Sequence, residues 1–396
     1  MTAEFVSRWA RRHVAVGALF LVAWQIAAVL ETPHRASVTL GLYGFVLHTV
    51  VGKGYALVPT YFERSLTVRR APVATLPLLT LGSLGMAAAS VPAVPTTLAA
   101  IGAVCWGVGM GIFVGALGVT IRGNLLGSET GTGDVNADRQ RIDRLANAFV
   151  PIVFVYLLAG TYETVAVGVG LPLLADRGMA GASHLLAAGG GALLIFAIGF
   201  RLLPRFLVAS PPTSLVSLVL SAGAVGPALL AGNLWGTVWF RIGAVAESTA
   251  IVGFAVAYLV LFRRSDRRRV GFYGPVVGSL AGVAGVALGL HFAFGGPIVN
   301  GAFAHFRLNV LGFLGLTIVG VAYQFYPPGV GTFPAAGDRT AGISIGCLAV
   351  GVGVEAGGLL AGLDSVVLVG RLLALVGAGL YAYLLWGLFR ERYGEK

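Results

Sequence analysis

The sequence predicts an all-α polytopic membrane protein of about twelve transmembrane helices, and three observations carry that expectation. Of its 396 residues 57% are hydrophobic and only 11% charged, whereas soluble domains carry roughly a quarter charged residues. Apolar segments of the roughly 20 residues that one helical crossing needs recur along the whole chain, with no polar interval long enough for a separate soluble domain. The 59 glycines suit a bundle in lipid, because small residues let helix backbones approach closely. A single integral membrane domain over 1–396 is therefore expected.

Spans are expected near 13–30, 38–62, 72–91, 95–121, 147–174, 183–206, 214–234, 236–262, 271–294, 303–327, 340–361 and 365–389. The first has a basic flank, Arg8, Arg11 and Arg12. It is too long for a signal h-region and lacks a small-residue cleavage site, so it is read as a span. Lysine and arginine accumulate on the cytoplasmic side of a membrane, and they orient the rest. With the N-terminus inside, 21 of the 27 basic residues fall on the cytoplasmic face, including RRSDRRR at 263–269, and only Arg35 and Arg177 lie in outer loops. Both termini are then cytoplasmic. The net charge of +11 reads as a topology signal that touches anionic membrane lipid, not as a nucleic-acid surface. Arginine outnumbers lysine 25 to 2 and no signal or transit segment is recognised, which points to a prokaryotic cytoplasmic membrane. Cys105 and Cys347 both sit in apolar stretches, so neither a disulfide framework nor a cysteine zinc site is indicated.

The two longest polar cytoplasmic stretches, 122–146 and 263–269, divide the spans four, four and four, giving internal repeats of approximately 1–125, 126–262 and 263–396. The second span of each quartet has one outline. It begins with a histidine (His34, His184, His305) and closes on a proline (Pro59, Pro204, Pro327) after 25, 20 and 22 residues. Only six histidines exist in the chain, so their recurrence carries more weight than any glycine or leucine match. Gly41 and Gly44 also share their offsets from His34 with Gly312 and Gly315 from His305. An internal repeat in three pseudo-threefold quartets is expected.

Twelve spans in three quartets, with histidines at the outer ends of spans two, six and ten, resemble subunit I of the heme-copper oxidases. The chain is still more similar to the NnrS-type proteins, whose helices run from a histidine through a glycine-rich apolar stretch to Leu-Pro-Arg. The resemblance covers the whole chain as topology, but its motifs are short. It implies that histidines of the second and tenth spans ligate heme iron and that histidines of the sixth and seventh hold copper. The departures matter equally. Span seven, LVSLVLSAGAVGPALLAGNLW, has no histidine, span ten carries HFR where an oxidase has two histidines one residue apart, and His184 lacks a tyrosine one turn later. A copper-containing binuclear centre is not assembled from such residues; one heme, b-type, is the cofactor expected.

Neutral imidazole ligates heme through a nitrogen lone pair. His305 is the first candidate, with Asn309 one turn later to orient a neighbour; His34 starts span two at a similar depth and could ligate the same heme from the other face. His48 is about 21 Å deeper along that helix and competes with His34. His184 is the remaining metal candidate of the threefold set. His291 is a further possibility, and His13 is read as interfacial. Arg307 and Arg241, in the first third of their spans, are candidates for the heme propionates, whereas Arg371 is expected to pair with Glu355. Lys53 is read as snorkelling, Glu163 and Glu247 as proton relays or interhelical hydrogen-bond partners, and Tyr323, Gln324 and Tyr326 as an interfacial belt.

These readings converge on a heme-binding, oxidase-like membrane protein without a complete binuclear centre. The resemblance implies a role in nitric oxide or respiratory metabolism, with a gaseous ligand such as nitric oxide and an electron donor as partners. A carrier for a small, anionic solute and a cofactor-free structural or assembly subunit share the same topology and remain open alternatives.

Overall fold

The computed structural model describes residues 3–174 and 177–394. It is all-helical, with no strand among those residues. Twelve long helices follow in order: α1 Ala3–Val29, α2 over 34–61, α3 Ala71–Ala88, α4 Thr97–Ile121, α5 Gln140–Val169, α6 Gly178–Leu207, α7 Thr213–Asn233, α8 Val238–Arg264, α9 Tyr273–Phe294, α10 over 301–325, α11 Asp338–Ala361 and α12 Asp364–Tyr393. Eleven of the helical segments are long and apolar enough to cross a membrane. The protein is thus a multi-pass membrane protein built from hydrophobic helices.

The exception is α2. It carries His48 and Lys53 along its length, and residues 39–52 are all buried inside the bundle. A helix surrounded by other helices does not have to be apolar enough to face lipid, which is why the most polar span lies at the centre. Its companions there are α6 and α10: 72% and 78% of their most apolar windows are buried, against 33% for α9. The outer helices turn Leu81, Ile101, Val155, Val256, Leu280 and Val376 outward, the side-chain chemistry that acyl chains accept.

The three central helices share an irregularity. Each opens with a short α-helical stretch holding its histidine, passes through eight residues of π-helix, and resumes as α-helix. The π segments are Thr39–Val46, Leu185–Ala192 and Leu308–Gly315, and all three contact one another. π-Helix is rare and concentrates at functional sites. Glycine lets the surrounding helices close on this centre. A side chain on Gly274 of α9 would meet the Gly320 Cα of α10 at 2.6 Å, and one on Gly44 would meet the Phe20 ring of α1 at 2.5 Å.

Both boundaries of α5 differ from the expected 147–174. α5 begins at Gln140, inside the polar stretch assigned to a loop, because Asp143 in its first turn is buried beneath α6. There it meets Arg205 Nη2 at 2.5 Å and Arg201 Nε at 3.5 Å. It ends at Val169, because Gly170 adopts a left-handed φ of 77° and caps the helix onto the Ala166 carbonyl. The polar connector before α5 is pinned to the bundle: Arg201 donates to the carbonyls of Tyr61 (2.8 Å) and Thr130 (2.6 Å), and Asn124 Nδ2 to those of Phe62 (3.2 Å) and Glu129 (2.7 Å). At its surface Arg64 pairs with Glu129 and holds that carboxyl below the usual carboxylate range.

Candidate functional site: a histidine-lined cavity

At the end of the bundle opposite both termini, a cavity of about 250 Å³ opens between the central helices and α8 and α9. His34, His184 and His305 line it together with Glu247, Ser248 and Asn309. The three histidines that recur in the sequence therefore meet at one cavity.

His184 and His305 form its most specific feature. Their ring centres are 6.4 Å apart and their planes lie within 24° of parallel. His184 Nδ1 is 2.9 Å from the Ala180 carbonyl and His305 Nδ1 is 2.8 Å from the Gly285 carbonyl. A carbonyl only accepts, so each Nδ1 carries the proton and each Nε2 keeps its lone pair. That arrangement, with one nitrogen anchored to backbone, is the one metal-ligating histidines use. Two imidazoles that each place a nitrogen about 2 Å from one metal have ring centres roughly 6 Å apart when they stand on opposite sides of it, and the centre-to-centre distance of this pair is of that size. Asn309 Nδ2 donates to the His305 carbonyl at 2.8 Å and lies 3.3 Å from Nδ1, as its one-turn spacing suggests. Gly285 makes this docking possible, since a Cβ there would meet the Asn309 amide at 2.5 Å.

His34 lines the same cavity, but its ring packs edge-on against Phe303 (4.5 Å) and Phe306 (5.2 Å) rather than beside His305. His48 lies elsewhere. It is fully buried, with Nδ1 3.0 Å from the Tyr43 carbonyl and Nε2 3.2 Å from the Thr80 hydroxyl, and it does not line the cavity. His13 is its neighbour at 6.1 Å between ring centres. The reading of His13 as interfacial is corrected: it is buried, with Nε2 3.1 Å from the Pro72 carbonyl, because α3 packs over that turn of α1.

The arginines divide. Arg307 turns away from the cavity into a buried network: its Nε reaches Glu355 at 2.6 Å, its Nη2 reaches Gln25 at 2.7 Å, and its guanidinium sits 4.6 Å over Trp24. The expected Arg371–Glu355 pair is present at 3.1 Å, and Arg371 also meets Glu31 at 2.9 Å. Glu355 thus serves two arginines, and the positive charge of Arg307 is already matched. Arg241 is exposed and does not line the cavity, although Phe240 and Ala244 of its own helix do; its Nε donates to the Ala293 carbonyl at 3.2 Å. The belt reading of 323–326 is corrected for Tyr323, which is buried against Tyr381.

The sequence reading of Glu247 is a proton relay or an interhelical hydrogen-bond partner. In the fold it is 6% exposed, lines the cavity, and has no hydrogen-bond partner on either oxygen among the described residues. Among those residues no cluster of three or more His, Cys, Asp or Glu side chains could hold a metal ion. No protein-family model matches the chain, and no curated protein matches it either.

Proposed function

We propose that this chain is a heme-binding membrane protein in which His184 of α6 and His305 of α10 would hold one b-type heme. The observation that supports this reading is the histidine pair itself: two imidazoles at one-metal spacing, both with backbone-anchored Nδ1 and bare Nε2, facing a cavity. A bare ion needs three or more protein ligands. Heme needs only two, because the macrocycle brings four nitrogens of its own. The second histidine in this reading is His184, in place of the His34 suggested by the oxidase pattern. The charge of Arg307 is taken by Glu355, which leaves the exposed Arg241 as the candidate partner for the propionates.

When bound, the heme supplies one-electron chemistry. The protein's contribution is to fix both imidazole tautomers and to wall the site with Phe292, Phe306 and Phe313. Held by His184 and His305, the heme would supply electron-transfer chemistry. In this reading the protein serves nitric oxide or respiratory metabolism, as the resemblance to NnrS-type proteins suggests, and takes electrons from a donor. The test is an oxidised and dithionite-reduced absorption spectrum of the purified protein with pyridine hemochrome analysis. One b-type heme per chain is the expected result. A featureless visible spectrum from folded protein expressed with ample heme would refute the proposal.

Glu247 favours one alternative, a solute site in the same cavity. The buried arginines are paired and the cavity's unpartnered charge-bearing side chain is a carboxyl, so such a solute would be a cation or a hydrogen-bond donor rather than the anion suggested by composition.

A further inference from the structure

A second cavity, of about 100 Å³, is lined by the three central helices alone and shares no lining residue with the first. On each helix its lining starts within three residues of the π segment, at Thr49 of α2, Leu194 of α6 and Thr317 of α10. The helices touch one another through those π segments and leave this space just beyond them. Its walls are aliphatic: Val50 and Leu57 of α2, Leu194 and Ile198 of α6, and Ile318 and Val321 of α10.

The polar side chains that border the cavity direct their polar atoms elsewhere. Thr49 donates to the Phe45 carbonyl at 3.0 Å. The Thr317 hydroxyl is buried toward α9, where a Cβ on Gly278 would meet it at 2.9 Å. The Lys53 ammonium is 3.0 Å from the hydroxyl of Tyr326, which does not line the cavity, and 3.7 Å over the Phe325 ring. A buried water needs two to four polar partners, and no such set faces this space, so it stays dry. An empty space in a packed core forfeits dispersion contacts, and an apolar guest restores them.

We propose that this cavity binds a small uncharged apolar molecule, of the size of xenon or a dissolved diatomic gas. Its volume excludes larger guests: at core packing density it holds roughly four methylene groups, whereas an apolar cavity of about 150 Å³ is what benzene requires. Its lining excludes polar guests, because an ion or a hydrogen-bonding solute would give up water for no replacement partner. Apolar gases partition into hydrocarbon, the medium in which these helices stand, so the guest is supplied where the cavity lies. The inference is independent of heme.

The probe is xenon, titrated into the full-length protein in detergent with labelled Ile, Leu and Val methyl groups and followed by NMR. The Leu194, Ile198, Ile318 and Val321 methyls should shift and saturate, whereas the outward-facing Leu81, Ile101 and Val155 methyls should drift linearly with xenon dissolved in the micelle. Cyclopropane should reproduce the saturable shift and the bulkier cyclohexane should not. Val321→Trp, which fills the space, should abolish saturation at the remaining methyls. The absence of a saturable shift in the unaltered protein, saturation that survives Val321→Trp, an equal response to cyclohexane, or a water cross-peak to these methyls would each overturn the proposal. Should Val321→Trp fail to fold, the size series on the unaltered protein decides alone.

Discussion

At the scale of the residue, the half-buried cavity histidines and the buried His48 call for opposite outcomes. His184→Ala or His305→Ala removes one proposed axial ligand, so the reduced spectrum should lose its six-coordinate, split α and β bands, whereas His34→Ala should keep them. His48→Leu should leave that spectrum in place but lower stability by about 1–3 kcal/mol, because the Tyr43 carbonyl and Thr80 hydroxyl lose a buried partner. The thermal midpoint followed by size-exclusion separates the two cases. Glu355 is the most consequential charge. Glu355→Ala strands the buried Arg307 and leaves Arg371 only Glu31, and it should cost about 3–5 kcal/mol, read as loss of monodisperse protein. His305 was legible from sequence because histidine is scarce and recurs at the head of three spans. Its partner was not, because which histidine faces it depends on helix rotation and on the carbonyls of Ala180 and Gly285, which no spacing reveals.

At the scale of the element, the π segments decide where side chains point. Regular α-helix after each histidine would advance about 100° per residue, whereas a π stretch widens the turn and resets the face of everything that follows. The start and end of the central helices were visible in the sequence as histidine and proline; the π register between them was not, since glycine-rich apolar runs fit either helix. Gly285 tests the docking of α9 on α10. Gly285→Ala places a methyl 2.5 Å from the Asn309 amide, so overpacking should cost about 1–3 kcal/mol. It should also disturb the His305 hydrogen bond to that residue's carbonyl. The expected result is a lower thermal midpoint together with a shifted Soret maximum; an unchanged spectrum would separate His305 from the proposed iron.

At the scale of the molecule, the connector between α4 and α5 is held by the Asp143–Arg201–Arg205 cluster rather than left free. Asp143→Asn weakens both ion pairs, and tryptic cleavage at Arg139 or Arg141 should accelerate several-fold while the membrane helices stay intact. The arginine distribution predicts cytoplasmic termini: green fluorescent protein fused after Lys396 should fluoresce, as it does when folded in the cytoplasm. A dark fusion, with alkaline phosphatase active at the same position, would reverse the assignment.

The sequence by itself determined that this is an all-helical multi-pass membrane protein, because apolar length and the obligation to satisfy backbone hydrogen bonds in lipid leave few other solutions. It also marked α2, α6 and α10 as alike, through residues too scarce to recur by composition. Only the tertiary structure decided that His184 lies beside His305, that Arg307 belongs to Glu355, that Glu247 lines the cavity, and that Lys53 borders an apolar pocket. Each of those depends on which face a central helix turns to its neighbours. Spacing along one chain cannot specify that rotation when the helix is apolar all round and interrupted by π turns, so packing of the whole bundle sets it.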